Sequence, residues 1–335
     1  YGGTETEGGY SVQQTNDGGF IIVGYTNSFG NGGFDIFLLK TGSDGNQEWN
    51  KTFGSNETDK GYSVKQTDDL GFIISGITSA DYGFDVRVVK TDADGNEEWN
   101  KVYGSTLNDF GFNIIQTDDG GFVVVGYTEI FGSGDEDVLL LKIDINGNQE
   151  WAKTFGGNGI DRGHSVIQTP PDGFLITGIT ESFGDNNKDV WLIKTDSNGD
   201  SLWTQTIGTD KIDHGYSVSQ TMDGGFIITG YTESENNNDD YEDCDWEAKF
   251  LPYAKQISQK YDIPLFKGNV NQYTKELKEQ QEPSKKFATV IPENSPGNVS
   301  IVLEQSTDLI NWTAVNPGSF PPATTKRFFR VRAQE

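Results

Sequence analysis

An acidic side chain recurs at one position through most of the sequence. It lies two residues before a glycine, and its copies are Glu7, Asp59, Asp109, Asp161 and Asp213. Carboxylates held near one another raise each other's pKa, as a general acid requires, or recruit a cation such as Ca²⁺, which takes several oxygen ligands. The spacing therefore predicts that these residues bind a ligand. The alternative is that each carboxylate accepts backbone N–H bonds within its own turn, as Asp commonly does in loops.

Other groups that could do chemistry are scarce. A second acidic series (Asp35, Asp85, Asp137 and Asp189) opens the third strand-like segment of each repeat, and the same alternative applies to it more strongly. The two histidines, His164 and His214, and the one cysteine, Cys244, do not form the pattern of a catalytic triad or of a zinc site. No Gly-rich stretch has the Lys of a phosphate-binding loop. The sequence therefore identifies no catalytic residue and no cofactor, apart from the Ca²⁺ that the carboxylates would attract.

The charge of the chain limits its partners. Residues 1–240 contain 13 Lys and Arg against 39 Asp and Glu, so they hold all of the net charge of −26, while residues 241–335 contain 12 of each sign. So acidic a region repels nucleic-acid phosphates and anionic lipid. No apolar run reaches the roughly 18 residues of a membrane span. We expect neither a nucleic-acid partner nor a membrane span.

The acidic residues recur because a larger unit recurs. Trp49, Trp99, Trp151 and Trp203 are 50, 52 and 52 residues apart, and the motif Gly-(Tyr/Phe/His)-(Ser/Asn)-(Val/Ile) keeps step with them. Units begin near residues 1, 55, 105, 157 and 209, and the fifth unit stops after its first half. His164 takes the place that Tyr10, Tyr62, Phe112 and Tyr216 hold, so it is predicted to replace an aromatic ring.

Each unit predicts one four-stranded antiparallel sheet. The first unit contains the segments "GYSVQQT", "GFIIVGYT", "DIFLLKT" and "QEWNKTF", with "NDGG" and "GSDGN" as tight turns. Such a sheet cannot cover both its faces alone, and radial stacking of sheets, as in a β-propeller, buries them. The unbroken apolar triplets, such as Val123-Val124-Val125, are typical of strands buried on both faces. Each Trp is predicted to pack against the neighbouring blade, and the alternative is that it stacks on a ligand.

The order of strand, Asp-Gly-Gly turn, "FIIVGYT" strand, third strand and "DGNQEW" resembles the blade repeats of bacterial β-propeller proteins. It is similar in layout to WD40 and quinoprotein repeats, although it lacks the Trp-Asp dipeptide of the first and the Thr-Gly of the second. The resemblance covers residues 1 to about 235 and transfers no catalytic residue. It implies that the segment from Gly9, and its equivalents, is the innermost strand. The loops before that strand and the variable loops after the second strand then share one rim, where specificity usually resides.

The sequence changes character after residue 235. We predict a propeller of four complete blades and a half blade over residues 1–240, a helical connector over 241–285 and a small β module over 286–335. The last segment, with "STDLINW" and "RFFRVR", resembles a module at the C-terminal ends of secreted multidomain proteins of environmental bacteria. The interrupted fifth unit and the start at Tyr1 suggest a fragment of a longer propeller or a fusion of two sequences.

Three functions agree with these features. The first is a non-enzymatic, secreted or cell-surface binding module whose variable rim loops contact a glycan, a peptide or a protein partner. The second is an extracellular polysaccharide hydrolase or lyase that uses the carboxylates at the channel mouth. The third is a scaffold without a small ligand. Because no reactive constellation is recognisable, we favour the first.

Overall fold

The chain folds as repeated antiparallel sheets. A computed structural model describes residues 1–80, 83–130, 132, 134–169, 173–184, 187–221 and 225–232, together with 300–306, 313–315 and 328–334. The first group of ranges contains four four-stranded sheets and one two-stranded sheet. Each unit with this layout is called a blade below.

The strands of the five blades follow the repeat. Blade 1 contains β1 (Glu7–Gln14), β2 (Phe20–Thr26), β3 (Asp35–Thr41) and β4 (Gln47–Phe53); blade 2 contains β5 (Asp59–Gln66), β6 (Phe72–Ala80), β7 (Gly83–Thr91) and β8 (Glu97–Tyr103); blade 3 contains β9 (Asp109–Gln116), β10 (Phe122–Thr128), β11 (Asp137–Ile143) and β12 (Gln149–Phe155); blade 4 contains β13 (Asp161–Gln168), β14 (Phe174–Thr180), β15 (Asp189–Thr195) and β16 (Ser201–Ile207); and blade 5 contains β17 (Asp213–Gln220) and β18 (Phe226–Thr232).

This architecture confirms the predicted fold class, an all-β propeller with four complete blades and a half blade. In each complete blade the strands pair in chain order. The first strands of neighbouring blades lie against one another, as innermost strands must. Each first strand begins at the acidic residue itself, two residues before the glycine where the pattern starts, because pairs such as Glu7 with Thr26 and Asp59 with Thr78 extend the ladder.

The hydrophobic core lies between the blades. In blade 2 Ile73, Ile74 and Ser75 are all fully buried, as predicted for a strand covered on both faces. One such cluster joins residues of blade 1 to residues of blade 2, namely Ile21, Val23, Ile36, Leu38 and Phe53 with Val64, Phe72, Ile74 and Val89. Full burial of each such side chain contributes about 1.5–3 kcal/mol. Stacking of the blades is therefore the main source of stability.

Trp49, Trp99 and Trp151 pack between blades, as predicted. The Trp49 ring lies 5.8 Å from the Phe72 ring of the next blade, centroid to centroid. It also covers Gly95 in the turn between β7 and β8, where an added Cβ would lie 2.7 Å from the indole. The equivalent Trp99 donates an indole hydrogen bond of 3.1 Å to the carbonyl of Ile145 in the next blade.

Polar side chains connect the blades at the same end of the strands. The carboxamide oxygen of Gln66 accepts the backbone N–H of Asn16 in the preceding turn, and Gln116 and Gln168 accept those of Asp68 and Asp118. The recurring Gln therefore caps the first turn of the previous blade. In that turn Gly18 and Gly120 have φ of 85° and 82°, but in blade 2 Leu70 has φ of 70°, a strained conformation for an L-residue.

The C-terminal region is described through three strands. These are β19 (Ser300–Ser306), β20 (Thr313–Val315) and β21 (Phe328–Gln334), and β19 pairs antiparallel with both others. The predicted helical connector over 241–285 lies outside the described residues, and the boundaries of the predicted C-terminal module remain predictions. No helix with the length and apolar character of a membrane span occurs in the described ranges.

Candidate functional site

One rim of the propeller brings two kinds of loop together. It consists of the residues before the first strands and the described residues of the variable loops, namely 27–34, 129–130, 132, 134–136, 181–184 and 187–188, and it is called the variable rim below. In blades 1, 3 and 4 the residue after the second strand donates a backbone hydrogen bond to the loop before the first strand, as Asn27 does to Thr6 at 2.9 Å and Glu181 to Ile160 at 2.9 Å. The two loops of these blades are thereby held side by side, as the sequence predicted.

The recurring acidic residues lie beneath this rim. Asp59, Asp109, Asp161 and Asp213 are at most 2% exposed. One carboxylate oxygen of each accepts the backbone N–H of the residue four positions earlier, at 2.7–2.9 Å. Glu7 differs because it is partly exposed and accepts hydrogen bonds from the Thr26 hydroxyl and the Gly3 N–H. These bonds agree with the alternative interpretation, and ligand binding by the five carboxylates remains a prediction.

The backbone of the same residues joins neighbouring blades. The N–H of Asp59 donates to the carbonyl of Phe34, at the end of the variable loop of blade 1. Asp161 and Asp213 donate in the same way to Glu136 and Lys188. Asp59, Asp161 and Asp213 therefore hold the variable loops of blades 1, 3 and 4 at the start of the following blade.

The second acidic series lies beside the first. A Cβ on Gly54 would overlap Asp35 Oδ1 and lie 3.1 Å from Asp59 Oδ2, so a glycine after the fourth strand makes room for both carboxylates. Arg87 donates to Asp59 Oδ1 at 2.5 Å. Burial, with a smaller contribution from the charge of Asp59, raises the pKa of Asp35.

The pair Asp85 and Asp109 has the same arrangement in the next interface. Burial, followed by the charge of Asp109, raises the pKa of Asp85. Asp85 Oδ1 has no hydrogen-bond partner in the part of the chain that the structure describes. No group of three or more His, Cys, Asp or Glu residues suited to a metal occurs in that part either. A Ca²⁺ ion would need several further oxygens at such a pair, and Ca²⁺ binding remains a prediction.

A row of aromatic rings crosses the first strands near the variable rim. It consists of Tyr10, Tyr62, Phe112, His164 and Tyr216, one from each blade, and is called the aromatic row below. Successive ring centroids are 5.0, 5.6, 5.7 and 5.3 Å apart. These separations lie within the range of favourable aromatic contacts. The row is therefore continuous over five blades.

A β-bulge lies at four of the five ring positions of the row. In blades 1 to 4 the pairing register shifts at the aromatic residue, between Gly9 and Ser11 in blade 1 and between Gly61 and Ser63 in blade 2. Bulges re-aim side chains and are frequent beside functional sites. The glycine before Tyr62 allows close packing, because a Cβ on Gly61 would lie 2.5 Å from Val23 Cγ2 of the preceding blade.

The ends of the row reach solvent. Tyr10 is 52% exposed and Tyr216 is 45% exposed, whereas the rings between them are partly buried. Burial raises the pKa of Tyr62 to about 12. Tyr10 also contacts Tyr25, which contacts Phe34 of the first variable loop, with centroids 5.5 and 5.1 Å apart. The row is thus continuous with the variable rim.

Two cations lie over aromatic rings beside the row. The Lys60 ammonium is 4.9 Å from the Tyr25 centroid and 4.8 Å from that of Phe34. The Arg162 guanidinium is 4.9 Å from the Tyr127 centroid and also binds both carboxylate oxygens of Glu136. In both cases a cation of an even-numbered blade covers a tyrosine on the second strand of the preceding blade.

The two histidines belong to this aromatic surface. His164 contacts Phe112 and Tyr216 within the row, which confirms that it replaces an aromatic ring. Burial lowers the pKa of His164, and burial with the charge of His164 lowers that of His214 to about 4. Both imidazoles are therefore neutral at pH 7. Cys244 lies outside the described residues.

The sequence contained the signal for the row but not its geometry. The aromatic residue follows the repeated glycine in every unit, which predicted a filler. The bulge that turns the ring, and the cations that lie over Tyr25 and Tyr127, depend on strand register and on neighbouring blades. Neither could be derived from the repeat pattern alone.

Comparisons with known proteins found a likeness to solved structures alone. No family model matches the chain, and no curated protein matches it. Similar solved structures include an endo-arabinase from Bacteroides thetaiotaomicron, with 9% identity, TM-score 0.41, and coverage of 74% of this chain and 94% of that one. A protein of unknown function from Bacteroides caccae shows 14% identity, TM-score 0.41 and coverage of 64% and 69%. The Pan2 WD40 domain from Neurospora crassa shows 10% identity, TM-score 0.35 and coverage of 66% and 86%. Likenesses this low carry no argument about this chain.

Proposed function

We propose that this chain is a non-enzymatic binding propeller whose ligand contacts the aromatic row and the adjoining loops of the variable rim. The observation that carries the proposal is the row itself, five rings in contact at equivalent positions of the repeat, with half-exposed tyrosines at both ends. Exposed aromatic surface is costly to maintain in water, and contiguous exposed apolar patches commonly mark binding sites.

The surroundings support binding over catalysis. The carboxylates nearest the rim are engaged by loop N–H groups, and the two histidines are packed among rings. A rigid frame that presents variable loops is suited to recognition. On this basis the rim loops determine which ligand binds, and the aromatic row supplies the apolar contact area.

Binding arrays test the proposal with the full chain. Labelled protein is applied to an array of neutral and charged oligosaccharides and to an array of short peptides. We expect hits that weaken in Tyr10→Ala and Tyr216→Ala but not in Tyr1→Ala, because Tyr1 is 68% exposed and makes no ring contact within the described residues. Hits that none of these substitutions affects would contradict binding at the row.

A reducing-sugar assay on soluble neutral polysaccharides examines the enzymatic alternative. We expect no turnover by the wild-type protein. Turnover that disappears in an Asp109→Asn, Asp161→Asn double variant would favour a hydrolase or lyase that uses the predicted carboxylates.

A further inference from the structure

The aromatic surface of the variable rim is chemically suited to cations. The face of an aromatic ring carries negative charge and attracts ammonium and guanidinium groups within about 6 Å. The protein already uses this attraction twice, with Lys60 over Tyr25 and Phe34 and with Arg162 over Tyr127. The rings beside the row are thus arranged so that a cation can lie on them.

The charge of the molecule favours the same kind of ligand. Residues 1–240 carry 39 acidic and 13 basic side chains. A field of this sign raises the local concentration of cationic ligands and the rate at which they associate, and it repels anions. Acidic side chains also lie near the ring surface, since Glu136 binds Arg162 beside Tyr127 and Glu7 accepts a hydrogen bond from Thr26, the neighbour of Tyr25.

The exposed tyrosines provide ring faces for an external cation. Tyr10 contacts Tyr25, so it adjoins the rings that receive Lys60. Tyr216 lies at the other end of the row, beside His164. Because both histidines are neutral at pH 7, they add no positive charge that would repel a cation at that end.

We infer that the ligand of the aromatic row is a basic peptide segment whose Arg or Lys side chains lie on Tyr10 and Tyr216. This inference rests on the proposed function and names the chemical class of its ligand. Arg fits best, because its planar guanidinium stacks on aromatic faces and is weakly hydrated. A neutral glycan would use the same rings without need of the surrounding negative charge.

Two matched peptides test the inference. The probe is a capped pentapeptide with two Arg residues separated by Gly, and its twin carries citrulline in place of each Arg, which keeps the shape and removes the charge. Titration calorimetry with the full chain at low salt is expected to show binding of the Arg peptide and at least ten-fold weaker binding of the citrulline twin. Equal affinity for both peptides would overturn the inference.

Row variants separate ring contact from the general field of the protein. We expect Tyr10→Leu and Tyr216→Leu each to weaken Arg-peptide binding about two- to five-fold. Tyr10→Phe should preserve it because the ring face remains, and Tyr1→Leu is the matched exposed control. If the Leu variants bind the Arg peptide as well as the wild type does, attraction is only to the net charge and the inference is wrong.

The outcomes for the proposed function and for this inference are distinguishable. If array hits depend on Tyr10 and Tyr216 but are neutral glycans or neutral peptides, the row is a binding site and the cationic ligand class is wrong. If no ligand of either array depends on the row, the proposed function fails as well. Thermal unfolding of every variant verifies that the loss of binding does not come from misfolding.

Discussion

At the residue scale, the carboxylates beneath the variable rim form side-by-side pairs that the protein neutralises unequally. Asp59 receives Arg87 at 2.5 Å, so the pair with Asp35 contains a compensating cation. At the position equivalent to Arg87, blade 3 has Leu139 and blade 4 has Trp191. A partly buried carboxylate without a full set of partners is stabilised by protonation, because burial penalises its charged form. The pair of Asp85 and Asp109 is where this effect can be measured.

Replacing Asp85 by Asn should make the protein more stable at pH 8. Burial raises the pKa of Asp85 in the folded state above its unfolded value of about 3.9. The folded state then binds this proton more tightly than the unfolded state. The contribution of Asp85 to the free energy of unfolding is favourable below its unfolded pKa and declines as pH rises through its folded pKa. We expect the Tm of Asp85→Asn to exceed that of the wild type at pH 8 and to approach it near pH 4.

Asp94→Asn, which replaces an exposed carboxylate in the same blade, is the matched control. Its curve of Tm against pH should run parallel to that of the wild type. A lower Tm for Asp85→Asn at pH 8 would contradict the argument. It would show that the carboxylate contributes more through its interaction with the Ser105 backbone than burial costs.

At the element scale, the blade interface explains both the tryptophan and a glycine that lies 46 to 48 residues further along the chain. Trp49 covers Gly95, and Trp99 and Trp151 cover Gly147 and Gly199 in the same way. Each glycine has a positive φ of 76–77°, so it serves the turn as well as the contact. In blade 1 the equivalent Gly45 has φ of 80°, but an added Cβ would meet only the Tyr1 hydroxyl, at 3.9 Å.

Alanine at these two glycines should separate the turn from the interface. Both Gly45→Ala and Gly95→Ala place a side chain at positive φ, which costs about 1 kcal/mol. Only Gly95→Ala also drives a methyl group into Trp49, and overpacking of this kind costs about 1–3 kcal/mol more. Chemical denaturation should therefore show a larger loss for Gly95→Ala.

A double variant verifies the origin of the difference. In a Trp49→Ala background the indole is absent, so Gly95→Ala should cost no more than Gly45→Ala does in the wild type. An undiminished excess would place the strain in the turn and not at the blade interface.

How much of this could be predicted from sequence depends on how local each feature is. The fold, the buried second strands and the packing of Trp49 follow from spacing and from turn residues, which are local. The start of each first strand at its acidic residue depends on pairing with Thr26 or Thr78. The bulge at Tyr10 and the position of Lys60 over Tyr25 depend on register and on a neighbouring blade, so the repeat predicted a filler where the structure has a partly exposed row.

At the scale of the whole molecule, net charge opposes folding. Residues 1–240 contain 39 acidic side chains and 13 basic ones, so many carboxylates cannot find a positive partner. Repulsion among them destabilises the compact state. Exposed ion pairs such as Lys153 with Asp200, at 2.6 Å, act in the opposite direction, but each contributes only about 0–1 kcal/mol. Repulsion is therefore expected to determine how stability responds to salt.

Raising NaCl from about 10 mM to about 300 mM shortens the Debye length from about 30 Å to below 10 Å, which screens most repulsion between exposed carboxylates. We expect the Tm to rise, by about 2–4 °C for each kcal/mol gained.

Three exposed acids, Glu5, Asp68 and Asp94, have no ion pair in the described part of the chain. Substituting all three with Lys changes the net charge from −26 to −20. This triple variant should melt at a higher temperature in low salt and respond less to added NaCl. The variant Glu5→Gln, Asp68→Asn, Asp94→Asn should lie between it and the wild type. A wild-type Tm that falls with salt would show that attraction between the ion pairs exceeds repulsion among the unpaired carboxylates.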